Sequence, residues 1–218
     1  MELLVATLAH LQKGNYDDAV SRLRFIVDTV KNAQGMMNAR LYCGKEGDGY
    51  SLILTAWENE ETWQKAQERY NPRELLLQST GDLLSAAPEQ WLMHYLWGYS
   101  RPAAQPLIAE AHLATVQPDA ANRIAQQWLD ELRRQALSPT LAFAFLARGT
   151  RGKNEDTTLY QAPGVNGSRS AYSYTFLNLL SWPGESHRKE FYADQHYKAL
   201  QSSLTNVGMV RVLTLEPS

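Results

Sequence analysis

The chain has 218 residues, 44% hydrophobic and 20% charged, with 6 Trp, 11 Tyr and a formal net charge of -2. That composition excludes a disordered chain, and the even charge (10 Lys or Arg against 13 Asp or Glu over residues 1–101, 11 against 10 over the rest) leaves no basic stripe for nucleic-acid phosphates. Cys43 is the single cysteine, so no intrachain disulfide forms, and with an acidic Glu2 and a short N-terminal apolar run the expectation is a cytoplasmic protein that neither spans nor binds a membrane.

Residues 3 to 11, rich in Leu, Val and Thr, predict a strand that ends at Lys13-Gly14-Asn15, with Asn15 placed to cap a helix. From Tyr16, the residues Val20, Leu23, Ile26, Val27 and Val30 recur at helical spacing, and Gly35 supplies a stop. Two strands come next, Met36 to Cys43 and Tyr50 to Trp57, joined by a Gly-rich hairpin at 44 to 49. Glu58, Glu60 and Glu61 suit the positive end of a helix carrying Trp63, Ala66 and Tyr70, and Pro72 opens a further helix with Leu75, Leu76 and Leu77. Trp91 to Tyr99 reads as an aromatic strand.

After a linker with Pro102 and Pro106, the same order returns. A strand at 107 to 116 leads to a helix opened by Pro118 and Asp119, with Ile124, Trp128 and Leu132. Strands at 141 to 148 and 171 to 182 precede one helix through Phe191, Tyr197 and Leu200, and a last strand covers 207 to 215. With a shift of 125, Leu52, Leu54, Trp57, Glu60 and Leu75 fall on Leu177, Leu179, Trp182, Glu185 and Leu200, so two units are expected, 1–101 and 106–218. The second has an extended hairpin loop at 149–170, which is a lid, a partner contact or tolerated length.

Several residues stand out. Period two puts Glu110 and His112 on one face of an otherwise apolar strand, where a carboxylate beside an imidazole can orient it as a general base; burial would raise the carboxylate's pKa. The plainer reading is a polar pair satisfied inside a barrel by Arg211 or His94. Trp57 and Trp182 end equivalent strands, as core residues or as the wall of a pocket. Asn178 shares its face with Trp182 and can orient a ligand or satisfy backbone, while Tyr174 belongs to an aromatic set that suits a flat apolar molecule or a core. No phosphate-binding loop, His-Glu-x-x-His or paired-Cys spacing, or Gly-x-Ser-x-Gly elbow occurs, so neither metal nor cofactor is expected.

A strand-helix-strand-strand-helix-strand unit is the ferredoxin-like arrangement, with helices on one sheet face and the other face needing a partner. The element order, the stretch from Gly35 to Tyr42, and Ala56-Trp57-Glu58-Asn59-Glu60-Glu61-Thr62-Trp63 resemble the antibiotic biosynthesis monooxygenase (ABM) type of the dimeric α+β barrel superfamily, closely over 1–101 and more loosely over 106–216. The resemblance implies an α+β protein in which two fused βαββαβ units close an intramolecular barrel, as a monomer with an internal pseudo-dimer or a weak homodimer. It also implies a cofactor-independent monooxygenase for a small hydrophobic or aromatic molecule, with Glu110 and His112 catalytic and Trp57, Trp182, Asn178 and Tyr174 lining the ligand. The alternative is a non-catalytic small-molecule-binding or assembly protein. Haem degradation fits poorly. Relatives with that activity join the Trp to a first-strand Asn and a helix His, whereas Thr7 stands here and the helix after Trp57 has no His; His187 and His196 come after Trp182, but Ala109 to His112 lacks the Asn.

Overall fold

The computed structural model describes residues 2–44, 48–102, 108–149 and 173–217. The first unit runs β1 (Leu3–Leu11), α1 (Tyr16–Val30), β2 (Met36–Gly44), β3 (Tyr50–Trp57), α2 (Glu60–Tyr70), α3 (Pro72–Thr80) and β4 (Leu84–Ser100). The second runs β5 (Ile108–Val116), α4 (Ala121–Ala136), β6 (Phe143–Gly149), β7 (Tyr174–Trp182), α5 (Glu185–Ala193), α6 (Gln195–Val207) and β8 (Gly208–Pro217). Residues 45–47 of the first hairpin, 103–107 of the linker and 150–170 of the extended loop lie outside the described residues.

All strand pairs are antiparallel, in the closed order β1-β3-β2-β8-β5-β7-β6-β4. Each unit therefore contributes four strands, and the expected α+β barrel within one chain is what forms. Alternation along the strands sorts side chains between three cores. Leu3, Val5, Ala9 and Leu11 of β1 pack with α1 and α2 outside the barrel, while Ala6 and Leu8 point inward to meet Ala109, Ala111 and Leu113 of β5 and Leu177 and Leu179 of β7. A third cluster joins Ala114 and Val116 of β5 to Ile124, Trp128 and Leu132 of α4 and Leu200 and Leu204 of α6.

The two seams between units are unequal. β4 continues past the end of β1 and pairs with β6 from Met93 to Ser100, and it is longer than its aromatic part predicts because residues 84–90 pair with β1. β8 meets β2 only from Tyr42 to Gly44. The longer seam carries a register shift between Tyr95 and Trp97, so Trp91 and Met93 face the barrel while Trp97 and Tyr99 pack against the helices of the second unit.

An ion cluster spans the barrel at the other end. Glu89 on β4 and Arg211 on β8 stand four strands apart in either direction around the closed order. Arg211 Nη1 and Nη2 donate to the two Glu89 carboxylate oxygens at 2.6 and 2.9 Å, and His10 Nε2 lies 2.9 Å from Oε1. Burial alone would raise the Glu89 pKa, but the bonds from His10 and Arg211 outweigh it and hold the carboxyl at about 2. Arg211 thus serves Glu89 and not Glu110, and His10 is tied into this cluster.

Local expectations held in part. Asn59 and Thr62 form a reciprocal capping box for α2, and Asn71 caps α3 through the Arg73 N–H. Asn15 makes no side-chain cap for α1. Gly35 has φ +80°, and a Cβ there would meet Thr62 Cβ at 2.6 Å, so glycine lets the start of β2 lie against the start of α2. The single helix expected after Trp182 is two, because Asp194 leaves helical geometry and its side chain accepts from the N–H groups of His196 and Tyr197 to start α6.

Glu89→Gln is expected to lower stability by about 1–2 kcal/mol, a modest figure because Arg211 is partly open to water. The folded-state pKa is depressed, so this contribution is complete above the unfolded value near 4.5 and fades as pH falls toward about 2. Urea unfolding of both proteins at pH 7 and pH 3 checks it, the gap between them narrowing at the lower pH.

Candidate functional site

β5 is paired along its length with both β7 and β8, and from Ala109 to Ala114 its side chains are buried on both faces. Because Ala109, Ala111 and Leu113 enter the barrel core and Ala114 and Val116 the helix-side core, Glu110 and His112 project toward the helices. They do not face into the barrel, and neither Arg211 nor His94 satisfies them. Each is 1% exposed.

The partners come from α5 and α6. Arg188 Nε lies 2.6 Å from Glu110 Oε1, a charge-on-charge contact in which the N–H is not aligned as a hydrogen bond. Tyr192, one turn further along α5, donates its O–H to Glu110 Oε2 and lies 2.9 Å from His112 Nε2. Tyr197 OH is 3.1 Å from His112 Nδ1. The break at Asp194 produces this convergence: Tyr192 leaves the end of one helix and Tyr197 the start of the next, so both phenols reach the same imidazole. Asp194 is itself held by Arg134 of α4 at 2.5 Å.

The proton positions are set by the partners. Since Tyr192 gives its only hydroxyl proton to Glu110, it accepts from His112 Nε2–H, and the imidazole Nδ1 accepts from Tyr197. The donors then point in one direction, Tyr197 to His112 to Tyr192 to the Glu110 carboxylate. Burial pushes the Glu110 pKa upward, but His112 close by, the hydrogen bond from Tyr192 and the charge of Arg188 more than offset it, so the group sits below its ordinary value. The expected rise is thereby reversed. Burial, Tyr197 and Glu110 raise Tyr192, and burial and Glu110 raise Tyr197, so both phenols stay protonated donors. The hydrogen bonds thus run in one direction and end on an ionised carboxylate.

Trp182 closes one side of the cluster, its ring centroid 6.0 Å from Tyr192 and 5.4 Å from Phe191. It is fully buried and its indole N–H has no partner. Trp57, at the equivalent strand end, donates to Thr55 Oγ1 at 3.0 Å and packs on Trp63 at 5.1 Å. The units differ at corresponding places. Leu3 pairs with Trp57 and Ile108 with Trp182, which aligns Val5 with Glu110 and Thr7 with His112. Six residues after each Trp stand Trp63 and Arg188. One unit fills this place with uncharged groups, Val5 and Trp63 beside a Thr7 that accepts from Gln90; the other fills it with charge.

Asn178 lies opposite His112 in register but bonds elsewhere, and Tyr174 stands apart from the cluster. In the orientation its partners require, the Asn178 amide donates to the Phe145 carbonyl at 3.0 Å and accepts from Trp128 Nε1 at 2.9 Å, which fastens β7 to β6 and α4. Tyr174, at the far end of β7, lies 4.0 Å under the Arg148 guanidinium. Sequence reasoning passed over Arg188, Tyr192 and Tyr197 as site residues. The available signal was Arg188 and Tyr192 at i and i+4, one helical face directly after Trp182. Among the described residues no group of three or more His, Cys, Asp or Glu is placed to hold a metal ion, and no helix is long and apolar enough to cross a membrane.

No protein-family model matches the chain, and no curated protein matches it. Solved structures do. An anthrone oxidase-like protein superposes with a TM-score of 0.73 at 13% identity, covering 100% of this chain and 91% of that one. A Fusobacterium nucleatum protein provisionally named a monooxygenase gives 0.68 at 8% identity, covering 99% and 92%. A monooxygenase-like protein of Listeria innocua gives 0.56 at 12%, covering 100% and 94%. At such identities the likeness is one of fold: this chain has the dimeric α+β barrel architecture, closed by two four-stranded units within one polypeptide.

A double-mutant cycle with Glu110→Ala and Arg188→Ala is expected to give a coupling energy of about 1–3 kcal/mol, because each single change strands a charge in a mostly buried site. Urea unfolding at pH 7 reads it, and a coupling near zero removes the ion pair from the description of the cluster.

Proposed function

We propose that this protein is a cofactor-independent monooxygenase acting on a small, electron-rich aromatic molecule, and that the second unit carries the chemistry. The observation that supports this best is the Tyr197-His112-Tyr192-Glu110 relay, buried beside an indole N–H that has no protein partner. A buried charge network is expensive to desolvate, and the corresponding place in the first unit folds without one, around Val5, Thr7 and Trp63.

In this reading a phenolic substrate with an acidic aryl methylene loses a proton into the relay, and Glu110, ionised at neutral pH, draws it onward. The resulting carbanion is electron-rich enough to reduce oxygen itself. Addition of O2 at that carbon gives a hydroperoxide, and loss of water leaves a carbonyl, so one oxygen atom ends in the product and one in water. The substrate supplies the electrons. Trp182 Nε1–H donates to a substrate oxygen, and the apolar walls of Phe191 and Trp182 exclude water from the anion. Entry is from the side of α5, where Arg188 and Tyr192 are half-buried and the rest of the network is sealed. The protein works as a cytoplasmic monomer, its barrel already closed within one chain.

One observation favours a non-catalytic binding role instead: two clefts among the described residues, of about 810 and 400 Å³, include none of Trp57, Trp182, Glu110 and His112 in their walls.

Oxygen uptake decides between these readings. With anthrone and related polyphenols, the enzyme is expected to consume one O2 per quinone formed with no added cofactor. Glu110→Gln and Tyr192→Phe should each lower kcat by about a hundredfold, while Thr7→Val in the first unit leaves it unchanged. No uptake across the substrate panel, or full activity in Glu110→Gln, refutes the enzyme assignment.

A further inference from the structure

The unequal seams leave a second feature that the relay does not use. β8 reaches β2 only from Tyr42 to Gly44, so among the described residues the edge of β2 from Met36 to Leu41 has no strand beside it on that side. A cleft of about 810 Å³ opens there, within the range of small-molecule sites. One wall is α1 and β2. The other is the nearby ends of β5, β6 and β7, with Ala109, Phe143, Leu179 and Ser181.

The polar groups in this cleft are placed at two depths. At the floor, Ser181 is 3% exposed and its hydroxyl has no hydrogen-bond partner. It continues the row of Leu177 and Leu179 on the barrel-facing side of β7, and it lines the cleft. A buried hydroxyl with nothing to bond is uncommon enough to require an explanation, and a ligand group that meets it is one. At the mouth, Arg40 is exposed on the same side of β2 as the buried Tyr42. Asp28 is the acidic residue among the described lining, and Lys31 already holds it at 2.8 Å, which leaves Arg40 free to take an incoming anion. Between the two depths the surface is apolar, with Phe143, Leu179 and Tyr42 offering flat or branched contact.

We propose that this cleft binds a small aromatic hydroxy acid, its carboxylate held by Arg40 at the mouth, its ring against Phe143 and Leu179, and its hydroxyl bonded to Ser181. A guanidinium fits a carboxylate through two parallel N–H donors, and a single buried hydroxyl selects a ligand polar at its inner end. The site is separate from the relay. Along β7, Ser181 and Trp182 point to opposite faces, as Ala109 and Glu110 do along β5.

Calorimetric titration of the full chain with 6-hydroxy-2-naphthoate, 2-naphthoate and 2-naphthol tests this. The hydroxy acid is expected to bind once per chain and tightest of the three. Arg40→Gln should weaken it at least tenfold while leaving 2-naphthol unchanged, and Ser181→Ala should bring hydroxynaphthoate and naphthoate to the same affinity. Ser181→Leu, which fills the floor, should abolish all binding, and Glu110→Gln should leave it intact. Arg40 is exposed, so its variant keeps the test informative if the Leu substitution does not fold. The proposal fails if no probe binds at millimolar concentration, if Arg40→Gln and Ser181→Ala bind as the parent does, or if binding is lost in Glu110→Gln instead.

Discussion

Each four-stranded sheet in this protein carries helices on one face only, and the other face is apolar. Burying that second face is the constraint on which the architecture depends. Ala6, Leu8, Leu52 and Leu54 of the first unit and Ala111, Leu113, Leu177 and Leu179 of the second are buried only because the sheets enclose one another. Closing the barrel also removes most of the exposed strand edge, the usual liability of an open sheet. Where closure is incomplete, along β2, the edge lies beside a cleft.

The same closure explains why polar groups are found where they are. A strand in the middle of each sheet is covered on both faces, so a charged residue on β5 needs partners from the helices packed over it. α5 and α6 provide them because Asp194 divides what would otherwise be one helix, bringing two phenols to one imidazole. At the end of the barrel away from the cleft, the Glu89-Arg211 pair fastens opposite walls through side chains alone, so both units bear on its geometry. These arrangements use charge in different ways: the first lies in a helix-side core, and the second closes an opening.

Much of the fold was legible in the sequence. β1 matches its predicted span, and β3 and the start of α3 fall where Trp57 and Pro72 place them. Glu110 and His112 were conspicuous as polar residues in an apolar strand. Which face they occupy could not be read, because β5 is apolar on both sides and alternation distinguishes faces only when one is wet. Arg188, Tyr192 and Tyr197 were hidden for another reason: their roles depend on how α5 and α6 lie over the sheet and on the break at Asp194, neither of which has a local periodic signal. The pairing of Asn178 with Trp128 and Phe145 is likewise a matter of three-dimensional neighbours, though the residue itself was noticed.

The correspondence of Val5 and Trp63 with Glu110 and Arg188 has a consequence for what a fused pair can do. In a barrel assembled from two identical subunits, every substitution appears at both symmetry-related places, so a destabilising polar cluster is incurred twice. A chain that carries both halves is released from that rule. One half can retain an inert, tightly packed interior that anchors the folded state while its counterpart accumulates groups that stability alone would reject. Division of labour inside a single pseudosymmetric molecule is thus open to this protein in a way that it is not to a homodimer of the same shape.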